Sequence, residues 1–554
     1  MKYVNFHQKK IIYIGFRPEH KIESDFIYLN VLKDNQNYQI TKSDNITEND
    51  FINNDIIICG CFLQNSNHIL LMTKYLEKII FYITEPIEYT NRRMYKLYSK
   101  NYINLSIGCV SEKQNNIKHP HYMDVGLTPE KIAQTNDYIK NITYNEVINK
   151  KFCCLINGHD MGKTHIGIYD RLKSIGEIGC PNNIYKKITK FQKKYLFTIC
   201  PENFKTNTSG FVTEKLYLAV VAGTIPIYYG DLDDIDKKIF NMDRIIYFDP
   251  SSELSIINAI LQIRNLMSDK NKLYEFYKQQ PFCDTAISTY NLMIDNLKLR
   301  INNFINLEEY NKSLLTDIHI VPPIDHNKKI NGIEHIAWIN LDRSSDRRNH
   351  MENILSNIKI PNKRIQAIDG KAIDLSNFKL LERPMTNYEK ACVLSHIKAY
   401  SHFVNIPGKY FLVVEDDITF KNLKFIDSDL ESIIKNSPDF DILMLSKTCN
   451  KQFNSLYTKW DPSIYSAVSY VISKNGLDKL LKKAKFENNN FNFYQPISIS
   501  DFFLYSGLNT YVYKYNFIST LDETSTIHPE HLPIHRNSSL IQYISLINDT
   551  VFNN

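Results

Sequence analysis

Cysteine is sparse, at ten in 554 residues, and neither Cys59-x-Cys61 nor the adjacent Cys153 and Cys154 has the spacing of a zinc site or of a C-x-x-C redox motif. The thiols therefore read as reduced and mostly buried. Long apolar runs are missing as well. The first ten residues lack the apolar core of a signal peptide, and the first apolar run, Ile11 to Phe16, is too short to supply one. The most apolar stretch, Leu216 to Tyr229, is interrupted by Gly223 and Pro226 and falls short of the roughly 18–20 residues of a membrane span. A soluble, cytoplasmic protein without a membrane span is expected. No basic tail or aromatic-basic motif accompanies the formal charge of +6, which argues against a nucleic-acid binder but suits anionic ligands such as nucleotide diphosphates. No repeat of 20–50 residues is visible, so a solenoid is excluded. Richness in Asn, Ile, Lys and Tyr suggests an AT-rich genome, as in some large DNA viruses, and says nothing of chemistry.

What is present is an ordinary globular composition, 43% hydrophobic and 23% charged, in a chain too long for one core, since single cores stop growing at roughly 250–300 residues. Short apolar runs recur at Ile56–Ile58, Ile79–Ile83, Leu196–Ile199, Ile225–Tyr229, Ile333–Leu341, Phe411–Val414 and Ile442–Leu445, separated by stretches of helical periodicity. Buried strands alternating with helices give an α/β chain with largely parallel sheets. The polar segment 307–332 contains Pro322-Pro323, which continues neither a helix nor a central strand, and is read as a linker. A weaker boundary falls near 145–151.

In the first half, a strand ending at Ile199 leads to Glu202 and Asn203, and a helix then starts at Thr213 as N-cap and ends at Gly223. Glu214 and Lys215 occupy its first turn. Backbone N–H groups, the positive end of the helix dipole and an ammonium thus converge where a diphosphate can be held, with a carboxylate at hand for a ribose. A solvated Glu-Lys pair at a helix start would look the same.

The segment Glu202-Asn203, Gly210-Phe-Val-Thr-Glu-Lys215 and Gly223-Thr-Ile-Pro-Ile-Tyr-Tyr-Gly230 resembles the donor-binding signature of the α1,3/α1,4-fucosyltransferases, glycosyltransferase family 10. The likeness reaches upstream to Ile80-Phe-Tyr-Ile-Thr-Glu85 and onward to Phe240-Asn241. It implies a GT-B fold, two Rossmann-like halves over 1–150 (acceptor side) and 151–306 (donor side), inverting a GDP-fucose-like donor without a metal. It also implies Glu85 as the base for the acceptor hydroxyl, with Glu202, Asn203, Phe211, Glu214, Lys215 and His165 at the donor. Three positions depart from the pattern: His165 stands for the family's Arg, Phe211 for its Tyr and Pro86 for the Asn after the base.

After the linker, Ile339-Asn-Leu-Asp-Arg-Ser-Ser-Asp-Arg-Arg348 reads as a strand running into a basic, Ser/Asp-capped helix start. Ala367-Ile-Asp-Gly370, Ser395-His396 and Lys409-Tyr-Phe-Leu-Val-Val-Glu-Asp-Asp417 follow. In the last, three carboxylates stand at the carboxyl end of a buried strand, where α/β sheets place ligands, and adjacent like charges call for a hard divalent cation. An acidic turn is the plain alternative.

These four motifs, in order over 333–528, resemble the lipooligosaccharide and collagen galactosyltransferases, glycosyltransferase family 25. The resemblance implies a GT-A-like domain over 333–554 using a UDP-hexose-like donor. Asp417 would ligate Mn²⁺ or Mg²⁺ with His528 as an added ligand, and Asn340, Arg343, Arg347, Arg348, Asp369, His396, Glu415 and Asp416 would lie at the donor. Asp501 is the candidate acceptor base. The expected protein is thus a bifunctional glycosyltransferase acting on a glycan, glycolipid or glycoprotein. A binding scaffold with one inactive module is the alternative, and a metal-using nucleic-acid enzyme lacks a basic stripe.

Overall fold

Each of the seven short apolar runs named above coincides with a strand, because a segment apolar on both faces is stable only between two covering layers. The computed structural model describes residues 8–553 apart from 36, 64, 84–90, 101, 110, 114, 157–164, 182–186, 204–209, 307–324, 373–385, 485, 488–489, 492–499 and 522–531. The chain divides into two units, Met1–Val321 and Pro322–Asn554.

The first unit holds two sheets. Strands β1 (Lys9–Ile14), β2 (Tyr38–Lys42), β3 (Ile56–Gly60), β4 (Ile79–Ile83), β5 (Leu105–Gly108) and β6 (Asn116–Lys118) form a parallel sheet in the order β2-β1-β3-β4-β5-β6. Strands β7 (Lys151–Leu155), β8 (Ile178–Gly179), β9 (Tyr195–Ile199), β10 (Ile225–Tyr228) and β11 (Ile246–Tyr247) form a second, also parallel, in the order β11-β10-β9-β7-β8. Every residue of β3, β4, β9 and β10 is buried, as parallel strands covered on both faces require. Each fully buried Ile or Leu contributes about 1.5–3 kcal/mol. The helix Ala286–Ile305 serves both sheets: Ala286, Met293 and Ile294 pack with Tyr122 and Leu216, while Leu297, Ile301 and Phe304 pack with Ile11, Tyr13 and Ile58 of the first sheet.

The second unit is built on β12 (His335–Asn340), β13 (Asn362–Gln366), β14 (Tyr410–Glu415), β15 (Ile442–Met444), β16 (Tyr457–Lys459), β17 (Ser469–Ser473) and β18 (Thr510–Tyr513), in the order β13-β12-β14-β17-β15-β18-β16. The expectation of largely parallel sheets holds in the first unit, whereas this sheet is mixed. β13, β12 and β14 run parallel, but β17 is antiparallel to both its neighbours and β16 is antiparallel to β18. An apolar run shows that a strand is buried and not which way it points. The helix Asn387–Phe403 starts with a capping box between Thr386 and Glu389 and buries Val393, Ile397 and Tyr400 in the core beneath the sheet. Among the described residues no helix is long and apolar enough to cross a membrane. None of the ten cysteines is in a disulfide, and seven of them are buried.

Candidate active sites

In the first unit Thr213 caps the helix Glu214–Val221, and Gly223 follows its end at φ +79°, a conformation that favours glycine. Arg244, fully buried, donates to the carbonyls of Gly223 and Thr224 at 2.9 and 2.8 Å and so satisfies the chain just past that end. Gly210 is at φ +85°, and a Cβ there would lie 2.6–2.8 Å from Asp233, Ser111 and Lys118. The buried Lys118 ammonium in turn donates to the Gly210 carbonyl at 2.6 Å and pairs with Asp236 and Asp233 at 2.9 and 3.1 Å. The glycines of the signature are thus fixed by backbone angle and by the crowding of charged groups around one turn.

Glu202 is buried and faces inward. Thr213 donates to it through its backbone N–H at 2.9 Å and its hydroxyl at 2.7 Å, and Tyr228 O–H donates at 3.0 Å. A Cβ on Gly230 would overlap the Tyr228 hydroxyl at 2.1 Å, so the last glycine of the signature leaves room for that bond. Burial pushes the Glu202 carboxyl above its ordinary value, against the pull of Lys215. Within the unit, Glu202 ties the loop to the helix start. Lys215 bonds the Asn203 side chain and the Pro201 carbonyl, so these three hold one another at the helix N-terminus. Phe211 is buried, and His165 sits at the N-cap of the helix Ile166–Leu172, its ring edge-on to Tyr169.

Glu214 is paired with His121 Nδ1 at 2.9 Å, a partner 93 residues away that sequence reasoning missed. Burial pushes its carboxyl up, but the His121 hydrogen bond and charge outweigh this and leave it below the ordinary value. His121 also lines a cavity of about 730 Å³ at the carboxyl ends of β1, β3 and β4, with Arg17, His20, Tyr82 and Asp124. Tyr82 donates to Asp124 at 2.9 Å. Glu85, three residues beyond Tyr82, lies outside the described residues, as does His528 in the second unit.

In the second unit a cavity of about 110 Å³ brings together Arg343, Arg347, Asp369, His396, Glu415, Asp416 and Asp417. Its floor is the carboxyl end of β14. The chain leaving that strand is pinned by the ladder of Ile418–Thr419 with Ser519–Thr520 and by Leu521 N–H donating to the Asp417 carbonyl at 2.6 Å. Its wall is the 367–370 turn, held to the helix Asn387–Phe403 by Ser395, which accepts from Ile368 N–H at 2.9 Å. A Cβ on Gly370 would lie 2.7 Å from the Asn387 carbonyl, so glycine permits this close approach.

The carboxylates are unequal. Asp416 is engaged by Asn340 at 2.7 Å and Arg347 at 3.0 Å. Asp417 has Arg347 at 3.7 Å from Oδ2, while its Oδ1 is buried without a hydrogen-bond partner. Burial, then the Glu415 charge, pushes the Asp417 pKa up to about 7. A buried, unpartnered carboxylate oxygen beside two more carboxylates fits a hard cation with oxygen ligands. Arg343 lies at the mouth, paired with Asp369 at 2.9 Å, and its hydrogen bond holds the Asp369 carboxyl below the usual range. His396 is buried between Tyr470 at 2.9 Å from Nδ1 and Glu415 at 3.1 Å from Nε2.

Two residues expected at the donor are placed elsewhere. Arg348 points away to Asp342, because the 3.6-residue turn sets it on a different face of the helix Ser345–Leu355 from Arg347. Asn340 is buried behind Asp416 and positions it. Ser344 holds the N-cap position of that helix but makes no capping bond. Asp501 accepts the Ser466 N–H at 2.8 Å. Cys392 and Tyr388 line the cavity without having been singled out, although Cys392 precedes His396 by one helical turn.

With this geometry in view, comparison with known proteins gives the following. Residues 333–494 match the profile of glycosyltransferase family 25 (LPS biosynthesis protein). A Drosophila melanogaster glycosyltransferase 25 family member is 26% identical over 337 residues, 49% of this chain and 54% of that protein. Human procollagen galactosyltransferase 2 is 29% identical over 175 residues, 27% of this chain and 28% of that protein. On the N-terminal side, alpha-(1,3)-fucosyltransferase B of Drosophila melanogaster is 30% identical over 99 residues, 18% of this chain and 21% of that protein. The chain thus spans about half the length of the fruit-fly family 25 relative and less of the others. The second unit matches the glycosyltransferase family 25 profile over residues 333–494, and the N-terminal side is similar over 99 residues to a fucosyltransferase.

Proposed function

We propose that the chain is a glycosyltransferase with one nucleotide-sugar site in each unit. The second site transfers galactose, glucose or a similar hexose from a UDP donor, and the first transfers fucose or a related deoxysugar from a GDP-fucose-like donor. The acceptor is a glycan, glycolipid or glycoprotein, and the first unit corresponds to a GT-B arrangement and the second to a GT-A-like one. The observation that carries this reading is the unpartnered Asp417 Oδ1 at the carboxyl end of β14, in a cavity that also holds two arginines.

In the second site, Asp417 would hold Mn²⁺ or Mg²⁺, which when bound withdraws charge from the leaving diphosphate. Arg347 positions Asp416 and Asp417, and Arg343 at the mouth supplies a bidentate donor group for phosphate oxygens. In the first site, Lys215 and the N–H groups of the helix start at Glu214 face the diphosphate. His121 orients Glu214 towards the sugar or ribose. The 730 Å³ cavity beside His121 takes the acceptor, with Glu85 as the base that removes its hydroxyl proton.

The test is a panel of nucleotide sugars offered to the full chain, to its Lys215→Ala variant and to its Asp417→Asn variant. Two activities on different donors, each lost in one variant only, are expected. Binding of donors without turnover or transfer in the wild-type chain would instead make it a nucleotide-binding scaffold.

A further inference from the structure

Behind the acidic loop, on the wall of the same cavity, stands a set of side chains of a different chemical character. Cys392 and His396 are four residues apart on the helix Asn387–Phe403 and so share one face of it. Glu415, the last residue of β14, meets them from the sheet. One ligand atom from each lies within 4.8 Å of the others. The Glu415 Oε1 to His396 Nε2 separation is 3.1 Å, and Cys392 Sγ to Glu415 Oε1 is 3.9 Å. With zinc bonds of about 2.0–2.3 Å, the edges of a coordination tetrahedron are roughly 3.3–3.6 Å, so these two separations bracket what one ion needs, and the third, between Cys392 and His396, is under 4.8 Å.

We propose that Cys392, His396 and Glu415 form a zinc-type transition-metal site, distinct from the hard-cation site at Asp417, with an open fourth position towards the cavity. The donor set separates the two. A thiolate and an imidazole select Zn²⁺ or Co²⁺ over Mg²⁺, whereas Asp417 offers oxygen alone. The surroundings supply what a histidine ligand needs. His396 Nδ1 is hydrogen-bonded to Tyr470 at 2.9 Å, and Tyr470 is itself bonded to Tyr400, both tyrosines being fully buried. That chain fixes the ring plane and leaves Nε2 for the ion. Binding replaces the Nε2 contact with Glu415 by two bonds to one ion. The thiol hydrogen passes to solvent, and the imidazole binds as the neutral tautomer that carries its hydrogen on Nδ1 towards Tyr470. Three protein ligands and one open position is the pattern of zinc sites that accept an exogenous oxygen, and this opening faces the cavity lined by Arg343 and Asp417. The site stands whether or not the cavity transfers sugar, because it rests on the ligand geometry alone.

The probe is Co²⁺, titrated into the metal-stripped full-length chain. A near-ultraviolet thiolate-to-cobalt charge-transfer band at one equivalent, abolished by one equivalent of Zn²⁺, is expected. Cys392→Ser should lose the band and His396→Gln should weaken cobalt binding, both with wild-type circular dichroism. Asp417→Asn should keep the band, which separates this site from the hard-cation site. Tyr470→Phe, which leaves all three ligands in place, should weaken binding by about 10–100-fold. Zinc-edge X-ray absorption of the wild-type chain, which depends on no variant folding, should show one sulfur neighbour at about 2.3 Å. Absence of a sulfur neighbour, or a cobalt band that survives in Cys392→Ser, would overturn the assignment. Failure of the transferase assays with the cobalt band intact would count against the proposed function alone.

Discussion

The Asp501 carboxylate accepts the backbone N–H of Ser466 at 2.8 Å, and Ser466 is held at φ 123°, the one positive φ outside glycine among the described residues. Such a backbone costs about 1–3 kcal/mol and persists only where neighbours over-determine it. Tyr505 supplies the second restraint by donating to the Ser466 carbonyl at 2.7 Å. Burial pushes the Asp501 pKa up to about 6, with the Ser466 N–H opposing and Glu415 adding to the rise. Asp501→Ala should therefore lower stability by about 1–3 kcal/mol. Ser466→Gly in that background should recover part of the loss, because glycine adopts the angle without a clamp. Denaturant midpoints for the two variants and their combination decide this, and no recovery would remove the clamp from the account. Asp501→Asn keeps an acceptor oxygen and should stay folded, so loss of transfer in that variant at a normal midpoint would assign Asp501 as the acceptor base.

Glu202 and Lys215 lie side by side in the first unit but should fail differently. Glu202 has two oxygens bonded inside the protein by Thr213 and Tyr228, so Glu202→Ala leaves three buried donors short of an acceptor. A loss of roughly 1–3 kcal/mol or more is expected, read as a lower denaturation midpoint. Lys215→Ala removes an ammonium whose partners are neutral oxygens, so the fold should hold while donor binding weakens by about 10- to 150-fold, since charged hydrogen bonds contribute roughly 1.5–3 kcal/mol. Calorimetric titration with the nucleotide diphosphate separates the two. Equal binding loss at an unchanged midpoint in both variants would return Glu202 to the donor.

These contrasts mark what the sequence could carry. The buried strands were legible because a run such as Ile79–Ile83 has only one stable environment, and Thr213 was legible as a cap because its hydroxyl meets the N–H of Lys215. The direction of β17 was not, since antiparallel pairing leaves no mark in a segment buried on both faces. Motif membership located the cavity of the second unit but not which motif residues face it. Arg347 and Arg348 are adjacent in sequence, yet one meets Asp416 and the other Asp342. His121 was illegible because its role exists only through a contact across 93 residues, and Cys392 because a lone thiol acquires meaning only when Glu415 is brought to it by the sheet.

Lys447 gives the second unit a pH dependence of stability. Its ammonium is buried against carbonyls of Tyr513 and Lys514 at 3.2 and 2.6 Å and the ring of Phe453, and burial lowers its pKa from 10.5 to about 7. In the unfolded chain the amine takes its proton near the ordinary value. The folded protein resists until about pH 7. Stability present above the unfolded pKa is therefore lost as pH falls through the folded one, and the loss levels off below it. Lys447→Met removes this dependence. The urea midpoint of the wild type should fall relative to the variant as pH is lowered from about 10 to about 7 and then run parallel to it. A constant difference across that range would mean the amine is not desolvated.

The last prediction separates the units by metal. Lys215 and the N–H groups at the start of the helix Glu214–Val221 offer a diphosphate positive charge without an ion. The second unit presents Glu415, Asp416 and Asp417, of which Asp416 is engaged by Asn340 and Arg347, Glu415 is bonded to His396, and Asp417 keeps a buried oxygen without a partner. Those carboxylates repel a diphosphate unless a cation lies between. EDTA should abolish transfer from the UDP donor, with recovery on adding Mn²⁺ or Mg²⁺, and leave transfer from the GDP-fucose-like donor largely unchanged. Asp417→Asn should reproduce the effect of EDTA on the first of these activities alone, and added metal should not restore it. Asp416→Asn should cost less, because an amide still bonds one of its two partners and Asp417 remains to hold the ion. If UDP-donor transfer persists both in EDTA and in Asp417→Asn, the acidic stretch is a turn, and the leaving group must be stabilised by Arg343 and Arg347.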